Sequence, residues 1–457
     1  AISDEASHPS RPGNQFSEQR RRALTQAVVD KYRIPQTLGH RAPRRFHVMA
    51  KPVGSACNLD CTYCYYLSKE KHPGMPGLGR MSDEILEAFV RDYITSVTGD
   101  EVVFSWQGGE PTLLGVGWFE KVVTLQRKYA KSGQRIENDL QTNGTLLDDD
   151  WAQFLKQHKF LVGLSIDGPR EVHDAMRPTK HRQPTFDDVM RGAALLKRHG
   201  VPFNTLTCVH RYNASRPLDV YRFLRRELGS TYMQFIPIVE PRNFETTAPG
   251  YGDLSQMPVI GSPRAKPDHP LSVVTPWSVD PDEYGQFLCK VWDEWLAKDL
   301  GKVLVNFCET LVVQKMGQPS QLCIYARNCG KAGAIENDGS VYSCDHFAYP
   351  EYRLGNVRQR SLADMMFDTP QVRFGYAKSE SLPTCCRTCA HLSDCWGECP
   401  KNRLLRTTEG EPGLNCLCAG LKRFFDHAGP VAQRLAAEIQ ASPIPNPPSV
   451  HEAYPRS

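Results

Sequence analysis

The chain has 457 residues, enough for one large domain and a smaller one, or for two to three of ordinary size. Apolar residues make up 40% and charged residues 23%, the balance of a soluble globular protein, and no apolar run approaches the roughly 18–20 residues that span a bilayer. A formal net charge of +4 gives no reason to expect a nucleic-acid or membrane partner, and the stretch after the arginines at 20–22 lacks a signal-peptide core, so the cytoplasm is the expected compartment.

Residues 1–45 are polar, carry Pro12, Pro35 and Pro43, and read as a tail with one helix near 16–32. From 46 onward short apolar runs alternate with longer amphipathic stretches. Strands are expected at 46–53, 101–107, 135–142, 160–166, 202–209 and 231–238, and helices near 82–98, 117–131, 148–158, 186–199 and 214–228. Ser82, Asp148 and Thr185 are placed to cap three of those helices. The alternation predicts an α/β domain over 46–240 whose parallel sheet curls into a partial (β/α)6 TIM-like barrel. Residues 241–276, rich in Pro, Gly and Ser, read as a loop insertion, and 277–322 as a helical linker. A small cysteine-rich α+β domain is expected over 323–430, with a hairpin at Asp338-Gly339. Residues 431–457 read as a helix end and a Pro-rich tail.

Sixteen cysteines are the outlier. In a reducing compartment thiols are more often metal ligands or catalytic groups than disulfide staples. Three of them, Cys57, Cys61 and Cys64, form a C-x3-C-x2-C triplet in CNLDCTYCYY, just after the first strand. Three thiolates on one tight loop can hold three irons of a cubane and leave the fourth open. Zinc, which wants a fourth ligand or a water, is the alternative. Downstream, WQGGEPTL (106–113), TNGT (142–145) and LSIDG (164–168) place polar motifs at successive strand ends, where an α/β barrel builds its site. There Gly108 and Gly109 let backbone approach a ligand, and Glu110 can accept from an ammonium. Ten more cysteines lie between 323 and 418, in spacings that suit a zinc ribbon or iron about equally. Neither Cys-x-x-Cys pair is followed by His, which argues against c-type haem.

Together these motifs resemble the radical S-adenosylmethionine superfamily, and CNLDCTYCYY with WQGGEPTL, LQTNGT and LSIDGP resembles its peptide-modifying branch. The resemblance implies a [4Fe-4S] cluster on Cys57, Cys61 and Cys64, whose reduction cleaves S-adenosylmethionine to a 5′-deoxyadenosyl radical. It implies cofactor contacts at Gly108, Gly109, Glu110 and Asn143, and also at Tyr63, Ser165, Arg177 and Leu206, although Leu206 is equally readable as a core residue. Residues 323–430 resemble the auxiliary-cluster (SPASM) domain of the same branch. One auxiliary [4Fe-4S] cluster would then sit on Cys323, Cys329, Cys344 and Cys399, and a second on Cys386, Cys389, Cys395 and Cys418, giving three clusters in all. Cys385 adjoins Cys386 and Cys416 lies two before Cys418; the following AGLKRFF favours Cys418.

The span from about 46 to 430 resembles anaerobic sulfatase-maturating enzymes. By that resemblance Asp345, in YSCDHF, is the general base, the plainer alternative being a turn-capping Asp. The implied reaction oxidises Cys or Ser in a Cys/Ser-X-Pro/Ala-X-Arg motif of a sulfatase to Cα-formylglycine, with a reductant such as flavodoxin or ferredoxin. The nearest rival installs thioether or carbon–carbon crosslinks in a precursor peptide. Such enzymes often carry a leader-peptide domain, for which the polar N-terminus is too short.

Overall fold

The computed structural model describes residues 45–441; the helix expected near 16–32 and the Pro-rich tail lie outside the described residues. Six strands fall where the apolar runs place them: β1 His47–Lys51, β2 Glu101–Trp106, β3 Arg135–Thr142, β4 Leu161–Ser165, β5 Phe203–Val209 and β6 Tyr232–Pro237. Each pairs in parallel with the next. Helices Asp83–Ser96, Val116–Tyr129, Asp149–Gln157 and Phe186–Arg198 make the crossovers, as parallel pairing requires. Their apolar faces bury Phe89, Phe119, Leu155 and Leu196 completely.

Ser82 and Asp148 cap as expected, accepting from the amides of Ile85 and Trp151. Thr185 does not. Asp174 Oδ1 takes the amides of Thr185 and Phe186, and the Thr185 hydroxyl donates to the Arg177 carbonyl at 2.6 Å, drawn into a buried network. The helix expected over 214–228 is also broken up. Pro217 opens a new helix, Pro217–Arg222, which ends in a π turn, Phe223–Glu227.

The larger departure lies at the sheet edges. β7 (Leu304–Val305), too short to read from sequence, adds to β6. At the other edge β8 (Ala332–Glu336) pairs in parallel with β1, and β9 (Ser340–Tyr342) and β10 (Arg353–Asn356) continue antiparallel. The Asp338-Gly339 hairpin forms, with Gly339 at φ +84°. The result is one ten-stranded sheet, β10-β9-β8-β1-β2-β3-β4-β5-β6-β7, and not a closed barrel. The cysteine-rich segment therefore shares the sheet that carries the first cysteine loop, and Lys51 lies in register with Glu336.

Residues 241–276 contain only two short 3₁₀ turns, Leu254–Gln256 and Pro263–Ala265. They are anchored to the cysteine-rich segment, because Tyr349 Oη and Tyr352 Oη donate to the carbonyls of Phe244 and Pro249. Beyond them come helices Pro281–Lys298 and Asn306–Lys315, and helix Cys418–Ala441 runs on through Pro430. Among the described residues no helix is long and apolar enough to cross a membrane.

Candidate active site

The loop bearing Cys57, Cys61 and Cys64 leaves the C-terminal end of β1 and is seated on the end of β2 by backbone. Gly109 N–H donates to the Gly54 carbonyl at 2.9 Å and Glu110 N–H to the Ala56 carbonyl at 2.8 Å. A Cβ on Gly109 would stand 1.8 Å from the Ala56 oxygen. The glycine pair thus makes room for the cysteine loop itself, a nearer neighbour than the ligand the sequence suggested. Glu110 is held by the same strand ends. Only 1% exposed, its carboxylate accepts from the Thr112 amide and hydroxyl, the Thr142 hydroxyl and the Asn143 amide. It staples the ends of β2 and β3, Oε1 taking three of these bonds and Oε2 the fourth. Asn143 Nδ2 then donates to Asn58 Oδ1 at 2.9 Å, and Asn58 to the Thr145 hydroxyl, so the motif after β3 grips the cysteine loop. Asn58 was not singled out from sequence, although it lies inside the cysteine motif.

All three cysteines line a cavity of about 900 Å³, with Lys71, Lys180, Arg182, Arg242, Phe244 and Trp277 among its other walls. Burial pushes the Cys57 thiol up to about 12, and pushes Cys61 and Cys64 up as well. Such thiols ionise only when something cationic binds them. Three soft donors on one loop, with free volume beside them and a basic rim, fit an iron–sulfur cluster that keeps one iron open to a ligand.

Behind the loop is a buried hub centred on Asp167. Tyr63 Oη donates to Asp167 at 2.6 Å, Arg177 clamps both carboxylate oxygens at 2.9 and 3.1 Å, and the Cys208 amide adds a bond at 3.0 Å. Burial disfavours the charge on Asp167, but Arg177 and His210 overcome it and hold the carboxyl well below the usual range. Tyr63 and Arg177 are thus held rigidly beneath Cys61 and Cys64. Asp167 is the hub residue that sequence reasoning passed over, within LSIDG. Ser165 ends β4 in register with Leu206 on β5. Leu206 is 9% exposed and packs over Gly163, where a Cβ would meet its Cδ1 at 2.6 Å.

On the other side of the loop the β1–β8 pairing brings together residues far apart in sequence. Lys51 Nζ lies 2.5 Å from Asp345 Oδ1, and Tyr65 Oη donates to Asp345 Oδ2 at 2.7 Å. Tyr66 Oη donates to Glu336, which lies in register with Lys51. Burial raises the Asp345 carboxyl, but Lys51 and His346 outweigh it and bring it to about 2, so it stands ready as a carboxylate. Its side chain is 21% exposed, against 4% for Lys51. Beside it the His346 ring meets Tyr65 edge-on at 5.5 Å, and its Nδ1 lies 3.8 Å from Cys399 Sγ.

Burial raises the Cys344 thiol, and Cys323, Cys399 and Cys329 lie near enough to raise it further. Two buried cations flank them. Lys378 donates to the carbonyls of Cys323 and Ile324, and Arg403 to those of Gly397, Lys378 and Trp396. Both feel the buried Glu398 carboxylate together with Cys329 and Cys399, and two buried cations beside those sulfurs suit an anionic cluster there. Cys386, Cys389, Cys395 and Cys418 line a second small pocket with Leu392 and Phe425. Exposed Cys385 and buried Cys416 are not among its lining residues.

Comparison with known proteins agrees with this geometry. Residues 52–224 match the radical SAM superfamily and residues 327–390 the SPASM iron–sulfur cluster-binding domain. The chain is therefore a radical S-adenosylmethionine enzyme with [4Fe-4S] clusters. It is 43% identical over 399 residues to the serine-type anaerobic sulfatase-maturating enzyme of Bacteroides thetaiotaomicron, covering 87% of this chain and 93% of that protein. To the cysteine-type enzyme of Clostridium perfringens it is 33% identical over 396 residues, covering 86% and 99%. The solved structure of native anSMEcpe with bound AdoMet and Cp18Cys peptide superposes with a TM-score of 0.72 at 32% identity, covering 86% of this chain and 99% of that one. The chain belongs to the anaerobic sulfatase-maturating enzymes.

Proposed function

We propose that the chain oxidises a Cys or Ser side chain, within a Cys/Ser-X-Pro/Ala-X-Arg motif of a sulfatase, to Cα-formylglycine, with Asp345 as the base. The observation that supports it most is the placement of the Asp345 carboxylate by Lys51 and Tyr65, directly after Cys344 and beside the loop that ends in Cys64. Cys57, Cys61 and Cys64 would hold the cluster that binds S-adenosylmethionine. Cys323, Cys329, Cys344 and Cys399, and then Cys386, Cys389, Cys395 and Cys418, would hold the auxiliary pair. When bound, these groups supply a 5′-deoxyadenosyl radical for the substrate β-hydrogen and an acceptor for the electron left behind.

The protein's own part is placement and proton transfer. Asp345 takes the thiol or hydroxyl proton, so that loss of one hydrogen atom, one proton and one electron leaves a carbon–heteroatom double bond. Hydrolysis turns the sulfur product into the aldehyde, whereas the oxygen product is the aldehyde already. Phe244 and Trp277 give the cavity that holds the cysteines part of its apolar wall. Gly108, Gly109, Glu110, Asn143, Tyr63, Ser165, Arg177 and Leu206 shape the bed for the cofactor. We place the reaction in the cytoplasm, with flavodoxin or ferredoxin as the reductant.

The test is anaerobic incubation of the reconstituted protein with reductant, S-adenosylmethionine and sulfatase peptides carrying Cys or Ser at the motif, read by mass spectrometry. An aldehyde formed together with 5′-deoxyadenosine supports the proposal. 5′-Deoxyadenosine with both peptides unchanged would overturn it.

A further inference from the structure

We infer that His346 sets the reduction potential of the cluster held by Cys323, Cys329, Cys344 and Cys399, by donating a hydrogen bond to the Cys399 sulfur. The inference rests on that ligand reading and deepens it. His346 sits in the 3₁₀ turn Asp345–Phe347, which begins immediately after Cys344. Its Nδ1 reaches across to Cys399, 3.8 Å away, so one side chain bridges two of the four cysteines. A ligating thiolate has no proton, and the ring N–H is then the donor. A donor on a ligand sulfur stabilises the reduced, more negative cluster and raises its potential.

The other face of the ring points back toward the first cysteine loop. Tyr65, next to Cys64 in the chain, meets His346 edge-on at 5.5 Å and donates a hydrogen bond to Asp345. Lys401 lies 5.4 Å from the Tyr65 ring and is ion-paired to Glu240 at 2.7 Å. His346 is therefore fixed between the base and the cluster nearest to it, where a change in potential bears on the electron leaving the substrate.

The second auxiliary set provides an internal contrast. Among the described residues, no side-chain N–H lies within hydrogen-bonding distance of Cys386, Cys389, Cys395 or Cys418. His391 offers only its backbone amide to Cys389, and its ring is turned to Asp426 at 2.7 Å. One auxiliary potential should respond to a change at His346, and the other should not.

The experiment uses the full chain with Cys57, Cys61 and Cys64 all replaced by Ala, so that only auxiliary clusters contribute to EPR-monitored redox titrations. Iron content equal to two clusters is the condition the ligand reading must meet first, so its failure shows there and not in a potential. His346→Phe should lower one midpoint by roughly tenfold in the reduction equilibrium, about 59 mV for one electron, and leave the other in place. His346→Gln, which keeps an N–H donor, should retain most of the original potential. In the unsubstituted holoenzyme, histidine labelled with ¹⁵N at Nδ1 alone should give a hyperfine coupling to the reduced cluster. An unmoved potential in His346→Phe, equal shifts of both clusters, or no nitrogen coupling would each overturn the inference.

Discussion

Lys51 Nζ stands 2.5 Å from Asp345 Oδ1, an ion pair made by the last residue of β1 and the residue after Cys344. The contact exists because β1 and β8 pair in parallel, which puts Lys51 beside Glu336 and lets the β8–β9 hairpin return the chain to Asp345. With Lys51 gone, Asp345 would face Glu336 with only the Tyr65 hydroxyl and His346 beside it. Lys51→Met is expected to slow peptide oxidation by tenfold or more while 5′-deoxyadenosine formation falls far less, so that the ratio of deoxyadenosine to aldehyde rises. Lys51→Arg should restore part of the coupling. An unchanged ratio in Lys51→Met would reduce the lysine to a structural part.

Asp345 itself is open to a more direct comparison. A positioned base contributes on the order of 10²–10⁴ in rate. Asp345→Asn keeps the shape and the Tyr65 contact but cannot take a proton, and should lose peptide oxidation by about that factor. Cofactor cleavage should persist. Aldehyde yield at the level of the unsubstituted enzyme would remove its assigned role.

Gly109 is where backbone, and not chemistry, sets the residue. A Cβ there meets the Ala56 carbonyl at 1.8 Å, and the obstacle is main chain, which cannot swing aside. Gly109→Ala should displace the loop that presents Cys57, lowering iron bound by the first site and cofactor cleavage together, while auxiliary iron stays. Gly117, in helix Val116–Tyr129 with open space around its Cα, is the control, and Gly117→Ala should be neutral or stabilising. Equal iron in both variants would show that the loop is seated by something else.

How much of this was legible without coordinates follows from what one strand can say about another. The six central strands lie within two residues of their predicted ends, because five are largely apolar runs and β3, RIENDLQT, lies between turn-forming residues at Gly133 and Asn143-Gly144. The pairing of β1 with β8 was invisible, since a parallel partner hundreds of residues away leaves no mark on His47–Lys51. Nothing in the sequence singled out Lys51. The bonds that Glu110 takes from Thr112, Thr142 and Asn143 were likewise invisible, because they join the ends of two strands. The cysteines were legible as clusters because their spacing is local. Asp345 stood out only through resemblance.

The ambiguous cysteines can be settled by iron analysis. Cys386 and Cys418 line the second small pocket with Cys389 and Cys395, and neither Cys385 nor Cys416 does. Cys386→Ala and Cys418→Ala should each lose one cluster's worth of iron and sulfide. Cys385→Ala should lose none, and Cys416→Ala should cost only packing, on the order of 1 kcal/mol. Loss of iron in Cys416→Ala with full iron in Cys418→Ala would reverse the assignment.

His173 yields a pH prediction whose sign follows from linkage. It is fully buried beside the Asp167 hub, its Nδ1 accepting from the Asp167 amide and its Nε2 bonded to the Thr185 hydroxyl. Burial first, and then the Arg177 guanidinium, lower it from 6.5 to about 4. The unfolded chain therefore binds a proton between those values that the folded chain does not. The stability that neutral His173 contributes is complete above pH 6.5 and declines as pH falls to about 4, by roughly 1.4 kcal/mol per unit. His173→Gln keeps a hydrogen-bonding group but no titration. The apparent unfolding temperature of the anaerobic holoenzyme should fall more steeply between pH 7 and pH 5 than that of His173→Gln, acid lability of the clusters being common to both. Parallel slopes would mean that the imidazole takes up its proton in the folded protein as readily as in the unfolded chain, and that the hub opens before the fold does.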